Sequence, residues 1–161
     1  MFARSREAVC RSGAVLVVLA ALLAPAAVAG AEVETIHFTG SFTEPSTEPC
    51  SSAPGTATVS FRGVSHTTVA PNGSVHHTAT VTGEVTFIPD AAGQPSYAGT
   101  FTARDGQNGQ LGATIVSSAA FRQTLFGSDG SRIRSGGLFH VTVLGDGSVI
   151  VLLDRITLTC P

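Results

Sequence analysis

Across 161 residues the chain draws all nine of its basic side chains from Arg and none from Lys. This removes a Schiff-base lysine, a P-loop lysine and a Ser-x-x-Lys acylation site from consideration. Only 12% of residues are charged, the formal charge is −2, and the arginines are spread along the chain, so the linear order marks neither a nucleic-acid binder nor an anionic-membrane binder.

The first segment reads as an export signal. Arg4, Arg6 and Arg11 outweigh Glu7, an apolar run follows from Ala14 to Ala24, and Pro25 leads into the small-residue stretch Ala26-Ala27-Val28-Ala29-Gly30-Ala31. A charged start, a short apolar centre and an A-x-A exit are the three parts of a secretory signal. The run meets Pro25 before the ~20 apolar residues that a spanning helix needs. Residues 1–31 are therefore expected to be a signal peptide cut after Ala29 or Ala31. Residues 32–161 would then be a single secreted, extracellular domain with no membrane anchor. Cys10 departs with the signal, leaving Cys50 and Cys160. An even count in an exported chain predicts that the two form a disulfide, which the chain-entropy model values at about 4–5 kcal/mol for so long a loop.

The remaining sequence alternates apolar and hydroxyl residues at period two, the mark of half-buried strands. Ile36, Phe38 and Phe42 give a first strand. The clearest hairpin turns on Ala70-Pro71-Asn72-Gly73, where Pro71 suits the second position of a type I turn and Gly73 can take a positive φ. That turn pairs Val69 with Val75, Thr68 with His76, Thr67 with His77 and His66 with Thr78. Strands of this length predict bends at Gly63 and Gly83. Tyr97, Gly99, Phe101 and Ala103 continue the alternation, and Ala113, Ile115, Ala119, Phe121 and Leu125 form a weaker inward set. Asp105-Gly106-Gln107-Asn108-Gly109-Gln110 reads as a connecting turn, without the acidic repeat of a calcium loop. Gly127-Ser128-Asp129-Gly130 and Leu144-Gly145-Asp146-Gly147-Ser148 are two more turns. The apolar parity inverts after Asp154-Arg155, which predicts a bulge there. Seven or eight antiparallel strands in chain order fit an all-β, lipocalin-like up-and-down barrel, with a β-sandwich as the alternative.

Among candidate site residues, His66 and His76 share the polar face but lack a third metal ligand. His77 alone falls on the apolar parity, opposite Thr67 and beside Ala79. These three residues are the candidate ligand-binding set, with a Thr67–His77 hydrogen bond as the structural reading of the same pair. No catalytic motif, cofactor site or metal site emerges. No G-x-S-x-G elbow exists, and Glu84 and Asp154 have no carboxylate partner by spacing.

Several segments together carry a resemblance. They are Glu48-Pro49-Cys50, Gly83-Glu84-Val85-Thr86-Phe87, Tyr97-Ala98-Gly99-Thr100-Phe101-Thr102, and Asp154-Arg155-Ile156-Thr157-Leu158-Thr159-Cys160. With the signal peptide, they make the chain similar to a group of uncharacterised secreted actinobacterial all-β proteins, a likeness that implies no catalytic residues. A looser architectural likeness links it to lipocalin-type barrels, although it has no Trp for a Gly-x-Trp signature. The expected function is non-enzymatic: a barrel binding a small apolar ligand inside. The alternatives are a surface interaction module using the Thr-rich outer face, and a barrel-type cyclase or hydrolase. The last would gain ground if His77, an acid and a hydroxyl converged.

Overall fold

The computed structural model describes residues 32–110 and 113–161, so the leader expected over residues 1–31 lies outside the described residues. Seven strands follow in chain order: β1 (Glu32–Thr47), β2 (Pro54–Val69), β3 (Ser74–Pro89), β4 (Tyr97–Gln110), β5 (Ile115–Gly127), β6 (Arg132–Val143) and β7 (Val149–Thr159). They form one all-antiparallel sheet in the order β1 to β7, an up-and-down meander. No helix long and apolar enough to cross a membrane occurs among the described residues.

Three hairpins share one local chemistry. Ala70 N–H donates to Ser74 O at 2.8 Å, Gly73 N–H donates to Ala70 O at 2.9 Å, and Gly73 takes φ 79°. The turns closed by Gly130 and Gly147 repeat that pattern, with φ of 85° and 84°. In each, an Asn or Asp oxygen accepts from a Ser two residues on, both from its backbone N–H and from its hydroxyl: Asn72 from Ser74, Asp129 from Ser131, Asp146 from Ser148. This is a type I turn with a glycine bulge, tightened by a side chain that mimics a backbone acceptor. The first of these turns sets the register expected from the sequence, pairing Val69 with Val75, Thr67 with His77 and His66 with Thr78.

The glycines expected as bends have another task. Phe38 faces Gly63, Phe61 faces both Gly40 and Gly83, and Phe101 also faces Gly83 across the ladders. A Cβ on Gly40, Gly63 or Gly83 would come within 3.0 Å of the facing ring. These glycines are seats that let aromatic rings lie flat on the neighbouring strand.

One face of the sheet carries the core. Ala57, Val85, Phe87, Tyr97, Leu125 and Ile133 are buried and cluster, with Cys50, Val59 and Phe101 packed against them. All the strand members of this cluster lie toward the end of the sheet that also holds Cys50 and Cys160. The two cysteines form a disulfide with Cα atoms 5.7 Å apart. Seven strands laid flat at about 4.8 Å spacing would separate β1 from β7 by roughly 30 Å. Joining the β1–β2 connection to the residue after β7 therefore requires the sheet to roll toward its core face. Among the described residues β1 and β7 share no ladder, so the rolled sheet is open along that seam.

Two sequence expectations are overturned here. Asp105 to Gln110 does not turn the chain; it is the second half of β4, paired with His76 and His77 of β3. Its Gly, Asn and Asp content suits a turn, but a long partner strand decides the conformation, as tertiary context often does in sheets. The bulge expected after Asp154 instead lies beside the β6–β7 hairpin, where the register shifts between Thr142 and Val143. Beyond it Asp154, Ile156 and Leu158 run on one face without a further break.

Candidate ligand-binding face

The inner face changes character along its length. At the disulfide end it is closed by the core. Farther along β2 to β4 the inward positions become Ser65 and Thr67, then His77 and Ala79, then Asp105 and Gln107. Pairing puts Ser65, Ala79 and Asp105 in one cross-strand row, and Thr67, His77 and Gln107 in the next. The candidate set from the sequence, His77, Thr67 and Ala79, is thus contiguous on the inner face.

Thr67 Oγ1 and His77 Nδ1 share a hydrogen bond of 2.9 Å. Asp105, a diagonal neighbour of His77, is buried at 9% exposure, and Ser65 is buried at 3%. Burial pushes the Asp105 carboxyl above the ordinary value of 3.8, outweighing the opposing pull of His77 and of hydrogen bonds from Gly106 and Gln107. Gln107 Nε2 donates to Asp105 Oδ2 at 3.4 Å, a long contact. The sequence could have revealed Asp105 and Gln107 only if their segment had been read as strand, since both fall on the apolar parity of Ala103.

A hydroxyl, an imidazole and an acid do converge, but not in the order that nucleophilic catalysis needs. In a Ser-His-Asp relay the carboxylate orients Nδ1 and the hydroxyl addresses Nε2. Here the hydroxyl occupies Nδ1. The cluster is better suited to holding a polar group than to activating Thr67.

Apolar side chains flank this cluster without being fully covered. Phe38 and Phe42 each lie 6.4 Å from Phe61 between ring centroids, on β1 and β2. Phe121 stacks on Phe139 at 6.3 Å across β5 and β6. All five rings are half-buried. On β7, Ile156 and Leu158 sit on the inner-face register yet stay 59% and 46% exposed beside the open seam.

His66, His76 and His140 face outward and are engaged locally. His66 Nδ1 bonds Thr35 Oγ1 at 2.8 Å, His140 Nδ1 bonds Ser118 Oγ at 2.7 Å, and His76 bonds Asn108 Oδ1. Among the described residues no three His, Cys, Asp or Glu side chains gather as a metal-ligand set. The surface of the described residues includes two open depressions. One, of about 450 Å³, is lined mainly by outward residues including His37, Arg62, Val64 and Thr80. The other, of about 370 Å³, is lined by Phe87, Ile88, Tyr97, Ala98 and Phe126 among others.

Glu48 is a site the sequence did not disclose. Buried at 4% exposure, its carboxylate accepts Cys50 N–H at 3.0 Å and Ser51 N–H. Its backbone accepts Ser52 N–H at 2.9 Å and donates to Ala53 O at 2.8 Å. One side chain thus shapes the turn that presents Cys50 to Cys160. No family model, no curated protein and no solved structure matches this chain.

Proposed function

We propose that the protein is a non-enzymatic carrier, an open lipocalin-like barrel that holds a small, mostly apolar molecule against its inner face. The ligand's polar end is anchored by Thr67, His77 and Asp105. One observation supports this reading above the others. The core fills only the disulfide end, while a buried acid, an imidazole and large half-covered aromatic rings line the rest of the inner face. A few polar groups set among apolar side chains are the usual furnishing of a small-molecule site. An extracellular workplace accords with the Cys50–Cys160 bond, since oxidising compartments are where such bonds persist.

The test is titration of the folded protein with a fluorescent fatty acid, followed by displacement with the unlabelled acid. Saturable uptake is expected, and His77→Ala should weaken it about tenfold, the worth of one hydrogen bond near 1.4 kcal/mol. Absence of saturable uptake by protein that unfolds cooperatively would sink the proposal.

A further inference from the structure

The ladders sort the charges by face. Arg62, Arg104, Arg122, Arg132, Arg134 and Arg155 all occupy outward register positions, and all are exposed. The strand acids Glu32, Glu34, Glu44, Asp105 and Asp154 occupy inward ones. Among the described strand positions only Glu84, on β3, places an acid outside. Arginines that look scattered in the sequence are therefore collected on one face, with their counter-charges on the other side of the sheet.

Three of them form a stripe. Arg104 is diagonal to Arg122 across β4 and β5, and Arg122 is diagonal to Arg134 across β5 and β6. Diagonal neighbours lie about 7–8 Å apart. Thr102, directly opposite Arg122, and Thr124, directly opposite Arg134, add hydroxyl residues alongside the stripe on the same face. At the end of the stripe Arg132 faces Phe126, whose ring is 58% exposed and borders the 370 Å³ depression.

We infer that the outer face of β4 to β6 is a binding site for a linear acidic polysaccharide. Arg forks pair bidentately with carboxylate or sulfate groups, and spaced forks along a diagonal suit a chain that repeats its charge. Threonine hydroxyls match sugar hydroxyls, and an exposed ring beside Arg132 offers a stacking platform for a sugar face. An anionic lipid surface fits less well. Membrane docking buries a continuous apolar face to about 5–10 Å depth, whereas here Phe126, Ala98 and Ile88 make a small exposed patch at one end of the stripe, and Thr and Arg separate it from Leu138. This site is independent of the inner-face ligand site and stands or falls without it.

The experiment measures binding of the folded protein to polygalacturonate and heparin, with neutral dextran and phosphatidylglycerol vesicles as the other probes. Binding to the acidic chains is expected, weakening about tenfold between about 50 and about 200 mM salt, as release of counterions requires. The triple variant Arg104→Gln, Arg122→Gln, Arg134→Gln should lose roughly tenfold or more, given the strength of charge-assisted forks. A charge-matched variant, Thr39→Glu, Ser41→Glu, Thr43→Glu on the outer face of β1, should lose no more than about threefold. Phe126→Ala should weaken binding at all salt concentrations. Equal losses in the two triple variants would overturn the site in favour of net charge alone. Equal binding to dextran, preference for the vesicles, or no binding to any probe would each overturn it as well.

Discussion

Asp105 shows how one residue can be written for an interior that does not favour it. Because burial raises its folded-state pKa above 3.8, folding favours the protonated carboxyl. The stability that goes with the neutral form is fully present below the ordinary carboxylate pKa. It is lost as pH rises through the higher folded-state value. Asp105→Asn is therefore expected to be more stable than the natural protein at pH 7, with the gap closing as pH falls through that window. Urea midpoints measured for both proteins across acidic and neutral pH check this. Asp129 and Asp146 act with the opposite sign, since hydrogen bonds from Ser131 and Ser148 hold their carboxyls low. They are common to both proteins and drop out of the difference. An Asn variant less stable at pH 7 would mean that the carboxylate is ionised and held by His77. This residue was hidden in the sequence because the Asp-Gly-Gln-Asn-Gly-Gln composition masks the period-two pattern that places it inside.

At the scale of elements, the β2–β3 hairpin was legible almost to the atom. Pro71 and Gly73 define the turn, and strict alternation on both sides carries its register outward without a slip. What alternation could not show was why so many inward positions are glycine. The facing positions supply the reason, since the Phe101 ring occupies the space above Gly83 and the Phe61 ring that above Gly40. Gly83→Val should drive the Phe101 ring from its seat, crowd the Ser60 carbonyl, and cost about 1–3 kcal/mol, the usual range for overpacking. Denaturant unfolding reads this directly, and a neutral outcome would show that the ring has room to move. The arginine sorting was equally available from parity. The linear order hides it, because the face on which each charge falls emerges only when the ladders are assembled.

For the whole molecule, which has seven strands among the described residues, a meander of seven or eight antiparallel strands and a disulfide between Cys50 and Cys160 follow from sequence pattern and cysteine arithmetic. The open seam does not, because alternation reports which residues face inward and is silent on whether the first strand meets the last. Nor does the confinement of the core to one end, since alternation runs on past it along β2 to β4. Cys50→Ser with Cys160→Ser is expected to lose about 4–5 kcal/mol, the loop-entropy value for a closure of this length. Chemical denaturation of oxidised protein against the double variant measures it, and a loss under about 1 kcal/mol would mean that the sheet rolls without its covalent tie.

The bond also decides how the molecule bears load. β1 starts opposite Val69, at the far end of the sheet, and finishes opposite Pro54, beside the disulfide. Tension applied between residues 32 and 161 therefore runs along a strand that is already extended and crosses to Cys160 through sulfur. The other six strands lie inside the covalent loop and are bypassed. Such a strap has only about 10 Å left to give before its own backbone is taut. Cut the disulfide and the 110-residue span it closes becomes extensible, to roughly 380 Å.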